Sequence, residues 1–307
     1  MFFEGLLIPA LEHIYDLEQS SDLLLPPSLT SLYGRLGFPA HTGRPHVISN
    51  FVSTLDGVVS VDVPGQAVGD VISGFNQQDS MVMGLLRAAA DVVIVGAGTL
   101  RASPCHIWTA EYIFPPCADD YRVLRNRMGK PPSPLNVIVT GQGNVDVSLP
   151  VFQSDTVSVL IVTTAAGARH INTSQLPKSV QVITGGGGTS LAARGILGAI
   201  TAASPASRLM LIEGGPHLMG GFLAEHCLDE LFLTLAPQVA GRDKSHERMG
   251  IVAERLFAPE HPAWGTLVSV KRGGSHLFLR YAFSGQEKTG GTIPAPDHVS
   301  SPPSISG

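Results

Sequence analysis

Leu211-Ile212-Glu213-Gly214-Gly215-Pro216-His217-Leu218-Met219-Gly220 is the stretch that decides how this 307-residue chain folds. A short apolar run, Arg208–Ile212, has the length of a buried strand and ends on an acid. Two glycines follow, then a proline suited to the first position of a helix over Pro216–Glu225. A strand passing through a tight turn into a helix is half of a crossover unit. The glycines let a ligand approach the backbone closely, and Pro216 leaves the helix N-terminus open to an anion, so the junction has the outline of a phosphate cradle. A ligand-free turn accounts for a lone Gly-Gly-Pro. Glu213 weighs the other way, because an acid at the end of a buried strand is costly to desolvate unless it meets a polar partner such as a substrate amine or amide.

The same grammar extends in both directions. Further strands are expected at Val47–Thr54, Val92–Val95, Leu135–Thr140, Val157–Thr163, Val180–Thr184 and Leu228–Leu235. Most are apolar on both faces, as parallel strands between two helical layers should be. Helices are expected at about Phe75–Ala90 and Ser190–Ala203. In the first, Val82, Leu85, Leu86 and Ala89 form one apolar stripe, with Arg87 on its flank. Thr266–Lys271, a Gly273-Gly274 turn and His276–Phe283 read as a hairpin closing the sheet edge. These elements predict a three-layer α/β domain over residues 46–284, with a mostly parallel central sheet, helices on both faces and a C-terminal antiparallel β-hairpin. Residues 1–45, with Pro26, Pro27, Pro39 and Pro45, read as an N-terminal lead-in. Residues 285–307, rich in Gly, Ser, Pro and Thr, read as a disordered tail.

Ligands of open α/β sheets bind beyond the carboxyl ends of the strands. Besides 213–217, three junctions qualify. Val92–Thr99 places Gly96 and Gly98 after an apolar strand, then Thr99, whose hydroxyl suits a phosphate or ribose; the third glycine of the ordinary dinucleotide fingerprint is missing. The glycines at 185–188 fit a flexible loop, with Thr189 and Ser190 available to cap the next helix. Asp56, before Gly57, is either a turn residue or a catalytic acid, and turn chemistry has the better prior. His217 is either a phosphate contact or an exposed neutral histidine.

A formal net charge of −5 without any Lys/Arg run excludes a nucleic-acid footprint. Three cysteines, Cys105, Cys117 and Cys227, support neither a disulfide framework nor a metal site. No apolar run reaches the ~18 residues of a membrane span, and Met1–Ala10 lacks the features of a signal peptide, so a cytoplasmic protein is expected. There is no P-loop or Gly-x-Ser-x-Gly elbow.

Taken in order, the junctions resemble the reductase domain of riboflavin biosynthesis, whose fold is dihydrofolate-reductase-like. The resembling segments are Asn50–Gly57, Leu85–Arg101, Leu211–Gly220, Leu228–Leu231 and Leu235–Gly241, spread over residues 45 to 283. The resemblance implies an NADPH-dependent oxidoreductase that passes a hydride to the ring-opened ribose of a ribosylamino-pyrimidine 5′-phosphate. It implies that Thr99, with Gly96 and Gly98, touches NADPH, and that Gly214, Gly215, Pro216, His217, Leu218, Met219 and Gly220 wrap its phosphates. Arg87 would bind the substrate phosphate and Glu213 the substrate. Glu213, Asp56 or water would supply the proton. A homodimer is expected, paired through the edge offered by the terminal hairpin.

The segment Arg101-Ala102-Ser103-Pro104-Cys105-His106-Ile107-Trp108 departs from the family, whose members carry an Asp-Asp-Pro element and a basic residue there. Two alternatives therefore stand: a reductase of the same fold acting on a pterin or another carbonyl compound, and a catalytically silent nucleotide-binding relative.

Overall fold

The computed structural model describes residues 8–17, 23–39, 43–61, 68–173, 176–186, 188, 190–244 and 248–283. The expected tail at 285–307, Gly187 of the glycine run and Thr189 after it lie outside them. Ten strands are described: β1 (Glu12–Asp16), β2 (His46–Ser53), β3 (Val92–Gly96), β4 (Leu135–Thr140), β5 (Val159–Thr163), β6 (Val180–Thr184), β7 (Leu209–Ile212), β8 (Glu230–Leu235), β9 (Thr266–Gly273) and β10 (His276–Ala282). The helices are α1 (Pro27–Tyr33), α2 (Val68–Ser73), α3 (Gln77–Ala89), α4 (Ala97–Ala102), α5 (Ala110–Ile113), α6 (Ala118–Arg127), α7 (Pro150–Gln153), α8 (Ala165–Ala168), α9 (Ala193–Ala203) and α10 (Pro216–Ala224).

The strands form one sheet in the order β1-β9-β10-β8-β2-β7-β3-β4-β5-β6. From β8 to β6 every pairing is parallel, and β10, β9 and β1 add on antiparallel. The mostly parallel α/β architecture with a C-terminal hairpin is thus the one expected. Alternate residues of each parallel strand face different layers. Val93, Val95, Ile138, Ile161 and Leu211 pack with Leu85, Leu86, Tyr121 and Phe152 on one face. Val92, Ile94, Val137, Leu160 and Ile212 pack with Ile196, Ile200, Met219 and Phe222 on the other. Apolar side chains on both faces follow from having helices on both.

The longest helix, α3, is enclosed on more than its apolar stripe. Asn76 caps its start, accepting from the Asp79 amide at 2.9 Å. Its last carbonyls are met by Arg125 of α6, whose Nη1 donates to Arg87 O, Ala88 O and Ala90 O at 3.3, 3.1 and 2.7 Å. Tyr121 crosses so closely that a Cβ on Gly84 would lie 2.6 Å from its hydroxyl, which itself donates to Met81 O. Glycine is the residue that admits this crossing.

Two findings revise the outline. Within the lead-in, β1 pairs with β9, and α1 sends Leu29, Leu32 and Tyr33 into the core. The outer strand of the hairpin is therefore already paired and does not present the free edge expected of it. Among the described residues the sheet's outer strands are β1 and β6. No helix among them is long and apolar enough to cross a membrane.

Candidate active site

β3 and β7 lie side by side, with Ile94 opposite Ile212 and the Glu213 amide donating to Ile94 O at 3.0 Å. After β3 the chain continues through α4 towards β4. After β7 it leaves through α10 for β8, on the far side of β2. Two neighbouring parallel strands whose exits diverge leave a crevice beyond their carboxyl ends, where such sheets bind ligands.

Both walls of this crevice are turns into helices. Gly214 has φ +117°, and a Cβ on it would lie 2.7 Å from Thr99 Oγ1, so the position requires glycine on two counts. The Gly215 amide reaches Thr99 Oγ1 at 3.5 Å. Helix α10 begins with Pro216, and Gly215 before it provides no side-chain cap. Its first amides are therefore left to a ligand or to water. Across the crevice, nothing lies within 4 Å of a Cβ built on Gly98, and Leu218 packs against Gly96.

The rest of the 214–220 stretch divides by helical geometry. His217 is exposed, 3.4 Å from Glu254. Met219 points into the core, and Gly220 faces the 252–255 segment, where its Cβ would lie 3.0 Å from Ala253 O. These two side-chain positions are turned towards protein. The glycine run near 185 behaves differently again. Gly185 lets β6 approach Gly195 of α9, and the first amides of α9 are taken by the Glu225 carboxylate at 2.9 and 3.0 Å. The cap expected from Thr189 or Ser190 is supplied by Glu225, which closes that helix end to an anion.

Glu213 has a polar partner, but the partner is Arg87. Arg87 Nε donates to both carboxylate oxygens at 2.9 and 3.0 Å, and Nη2 to Oε2 at 2.6 Å. Nη1 donates to Thr109 O at 3.0 Å, and Nη2 also meets His106 Nε2 at 2.9 Å. With the residue 1% exposed and its guanidinium engaged all round, Arg87 does not present itself to a substrate phosphate. The helix flank that carries Arg87 is covered by the strand ends and the 103–109 segment.

A guanidinium only donates, so His106 Nε2 accepts and the ring proton resides on Nδ1. Burial, helped by the charge of Arg87, lowers His106 to about 2 and keeps the ring neutral. It stands 5.1 Å from Trp108 and 4.6 Å from Tyr112, centroid to centroid.

Asp56 closes a loop. Its Oδ1 accepts from Thr54 Oγ1 at 2.6 Å and the Ala240 amide at 3.0 Å, and Oδ2 from the Gly241 amide at 2.8 Å. The Thr54 bond first, then the backbone amides, hold it well below the usual carboxylate range. The geometry is that of a turn.

Sequence reasoning passed over Asp79. It lies on the first turn of α3 and is buried. Loss of water, reinforced by Asp70 and Glu213, raises it to about 7. Asp70 on α2 is raised by burial as well. The available signal was the spacing of Asp79, Met83 and Arg87, four and eight residues apart on one helix face.

Residues 45–253 match the model of the RibD C-terminal domain. A 2,5-diamino-6-ribosylamino-4(3H)-pyrimidinone 5′-phosphate reductase of Archaeoglobus fulgidus is 24% identical over 201 residues, which are 65% of this chain and 84% of that one. A pyrimidine reductase-like protein of Corynebacterium diphtheriae superposes with a TM-score of 0.58 at 19% identity, covering 78% of this chain and 91% of its own. A diaminohydroxyphosphoribosylaminopyrimidine deaminase/5-amino-6-(5-phosphoribosylamino)uracil reductase of Thermotoga maritima gives 0.54 at 19% identity, over 78% of this chain and 56% of that one.

Proposed function

Since the chain belongs to the family of the RibD C-terminal domain, we propose that it is an NADPH-dependent reductase of a ribosylamino-pyrimidine 5′-phosphate in riboflavin biosynthesis. The observation that carries this reading is the crevice between β3 and β7. It joins an uncapped helix N-terminus to a buried, oriented carboxylate within one turn of chain.

The residues suit a dinucleotide. Gly214 and Gly215 keep the approach to α10 free of side chains, the open space at Gly98 extends it, and Thr99 offers a hydroxyl beside both. Gly214, Gly215, Pro216, the amides of His217 and Leu218, Gly96, Gly98 and Thr99 would hold the cofactor. Bound there, the reduced nicotinamide supplies the hydride.

Glu213 is the substrate-orienting carboxylate. Arg87 fixes its plane from one side, so the lone pairs not used by the guanidinium are aimed without rotational freedom at a hydroxyl or amine of the opened ribose. Arg87 acts here through Glu213, not on phosphate.

NADPH titration followed by absorbance at the reduced-nicotinamide band tests the proposal, with NADH in parallel to test the cofactor preference. Loss of signal that depends on the pyrimidine phosphate is expected. Absence of NADPH binding refutes the reading, and binding without turnover on any acceptor marks a catalytically silent relative. The neutral His106 beside Trp108 and Tyr112, where the family carries acids, favours a second acceptor class, an unphosphorylated carbonyl compound or pterin. Profiling acceptors by NADPH consumption separates the two.

A further inference from the structure

Arg87 Nη2 is shared between two acceptors. It donates to Glu213 Oε2 at 2.6 Å and to His106 Nε2 at 2.9 Å, so the imidazole stands beside the carboxylate at the end of β7 with a single nitrogen between them. The backbone brings His106 to the same place from the other wall of the crevice. The Ser103 amide donates to Thr99 O at 3.0 Å and the His106 amide to Ser103 O at 3.1 Å. The ring therefore lies two hydrogen-bonded turns beyond Thr99, whose hydroxyl meets the Gly215 amide.

Both the orientation of the ring and the position of its proton are set. Nε2 accepts from the guanidinium, which leaves the hydrogen on Nδ1. The rings of Trp108 and Tyr112 pack against the imidazole at 5.1 and 4.6 Å. Tyr112 is tied back to the same segment by its hydroxyl, which donates to Cys105 O at 3.1 Å. His106 is nonetheless partly exposed, and among the described residues its Nδ1 has no hydrogen-bond partner. A fixed N–H left open beside a ligand crevice is a recognition element. Burial and the charge of Arg87 keep it neutral. A neutral donor suits an uncharged acceptor oxygen, whereas a phosphate calls for a cation.

We propose that His106 is a specificity-determining residue of the reduction, its Nδ1–H recognising a ring carbonyl oxygen of the acceptor; the inference rests on the reductase reading above. The hydrogen bond places the heterocycle while Glu213 orients the opened ribose, so one guanidinium, that of Arg87, fixes both contacts at once. An acceptor of the same shape without that carbonyl leaves the Nδ1–H unpaired and is reduced less readily.

The test uses the full chain. In the free wild-type protein, nitrogen-15 NMR of the histidine rings should show His106 with Nδ1 protonated and Nε2 bare, a pattern absent from His106→Leu. The Nδ1 resonance should shift when the ribosylamino-pyrimidinone 5′-phosphate is added with oxidised cofactor, so that no turnover occurs. With NADPH, kcat/KM for that substrate should exceed kcat/KM for an analogue carrying C–H in place of the ring carbonyl by about 10-fold, the worth of one neutral hydrogen bond. His106→Leu should lose this discrimination at unchanged NADPH affinity. His106→Gln offers an acceptor to Arg87 and a donor to the substrate; it should keep part of the discrimination, and it serves if His106→Leu fails to fold. A residue that only packs against Arg87 would slow both substrates alike. The proposal is overturned if the ring proton lies on Nε2, if the Nδ1 resonance stays in place in a protein that turns the substrate over, or if neither substitution changes the ratio between the two substrates. A wild-type protein that consumes no NADPH counts against the reductase reading instead, and the NMR measurement still decides which nitrogen of His106 holds the proton.

Discussion

Arg87 and Glu213, 126 residues apart in the chain, meet through three hydrogen bonds of 2.6 to 3.0 Å in the interior of the protein. Each is costly to bury alone, so each is the condition for the other's presence at the crevice.

Removing one partner should therefore do more harm than removing both. Arg87→Met is expected to cost about 3–5 kcal/mol in urea unfolding, because it leaves a buried carboxylate uncompensated. The double variant Arg87→Met/Glu213→Leu should recover most of that stability while remaining inactive. A double variant no more stable than the single one would show that the pair is held by its neighbours and not by charge.

The two glycines facing the crevice should respond in opposite ways. Gly214→Ala combines a φ of +117° with a Cβ 2.7 Å from Thr99 Oγ1, so it should lose about 1–3 kcal/mol of stability. Gly98→Ala meets nothing within 4 Å and should leave the melting temperature unchanged while weakening NADPH binding by occupying the open space. Equal affinity for NADPH in wild type and Gly98→Ala would move the cofactor away from α4.

Asp79 sets a pH dependence of stability whose sign follows from its environment. Its folded-state value, raised to about 7 chiefly by burial, lies above the ~3.9 of an unfolded aspartate. Between these values the folded chain binds the extra proton, so this group's contribution declines as pH rises from about 4 to about 7 and stays low above that. Asp79→Asn exchanges no proton. Its stability relative to wild type should therefore rise steadily across that interval, read from urea midpoints at pH 5 and 8. A difference independent of pH would mean that the carboxyl ionises normally.

The chain is expected to form a homodimer, and light scattering should give twice the monomer mass. Because β1 already pairs with β9, pairing through a sheet edge would use β1 or β6. A monomer at working concentration would remove the expectation.

The sequence by itself determined the strands from β2 to β8, the helices α3, α9 and α10, the terminal hairpin, and the Gly214-Gly215-Pro216 junction. Those features are written in local spacing: apolar runs of strand length, a 3.6-residue stripe, and glycine or proline at positions where φ demands it. The strand β1 and the short helices α4, α5, α7 and α8 escaped because four to six residues carry too little periodicity, and because β1 finds its partner β9 some 250 residues later.

Only the tertiary structure decided what the polar residues do. Sequence pointed to Arg87 and Glu213 separately and set each against a substrate, whereas folding sets them against each other. It turned Asp56 into a loop tie, gave the cap of α9 to Glu225, and buried Asp79 so that its carboxyl is raised to about 7. The physical reason is that secondary structure answers to neighbours in the chain. The charge state and orientation of a buried polar group answer to whatever the fold brings within about 3 Å.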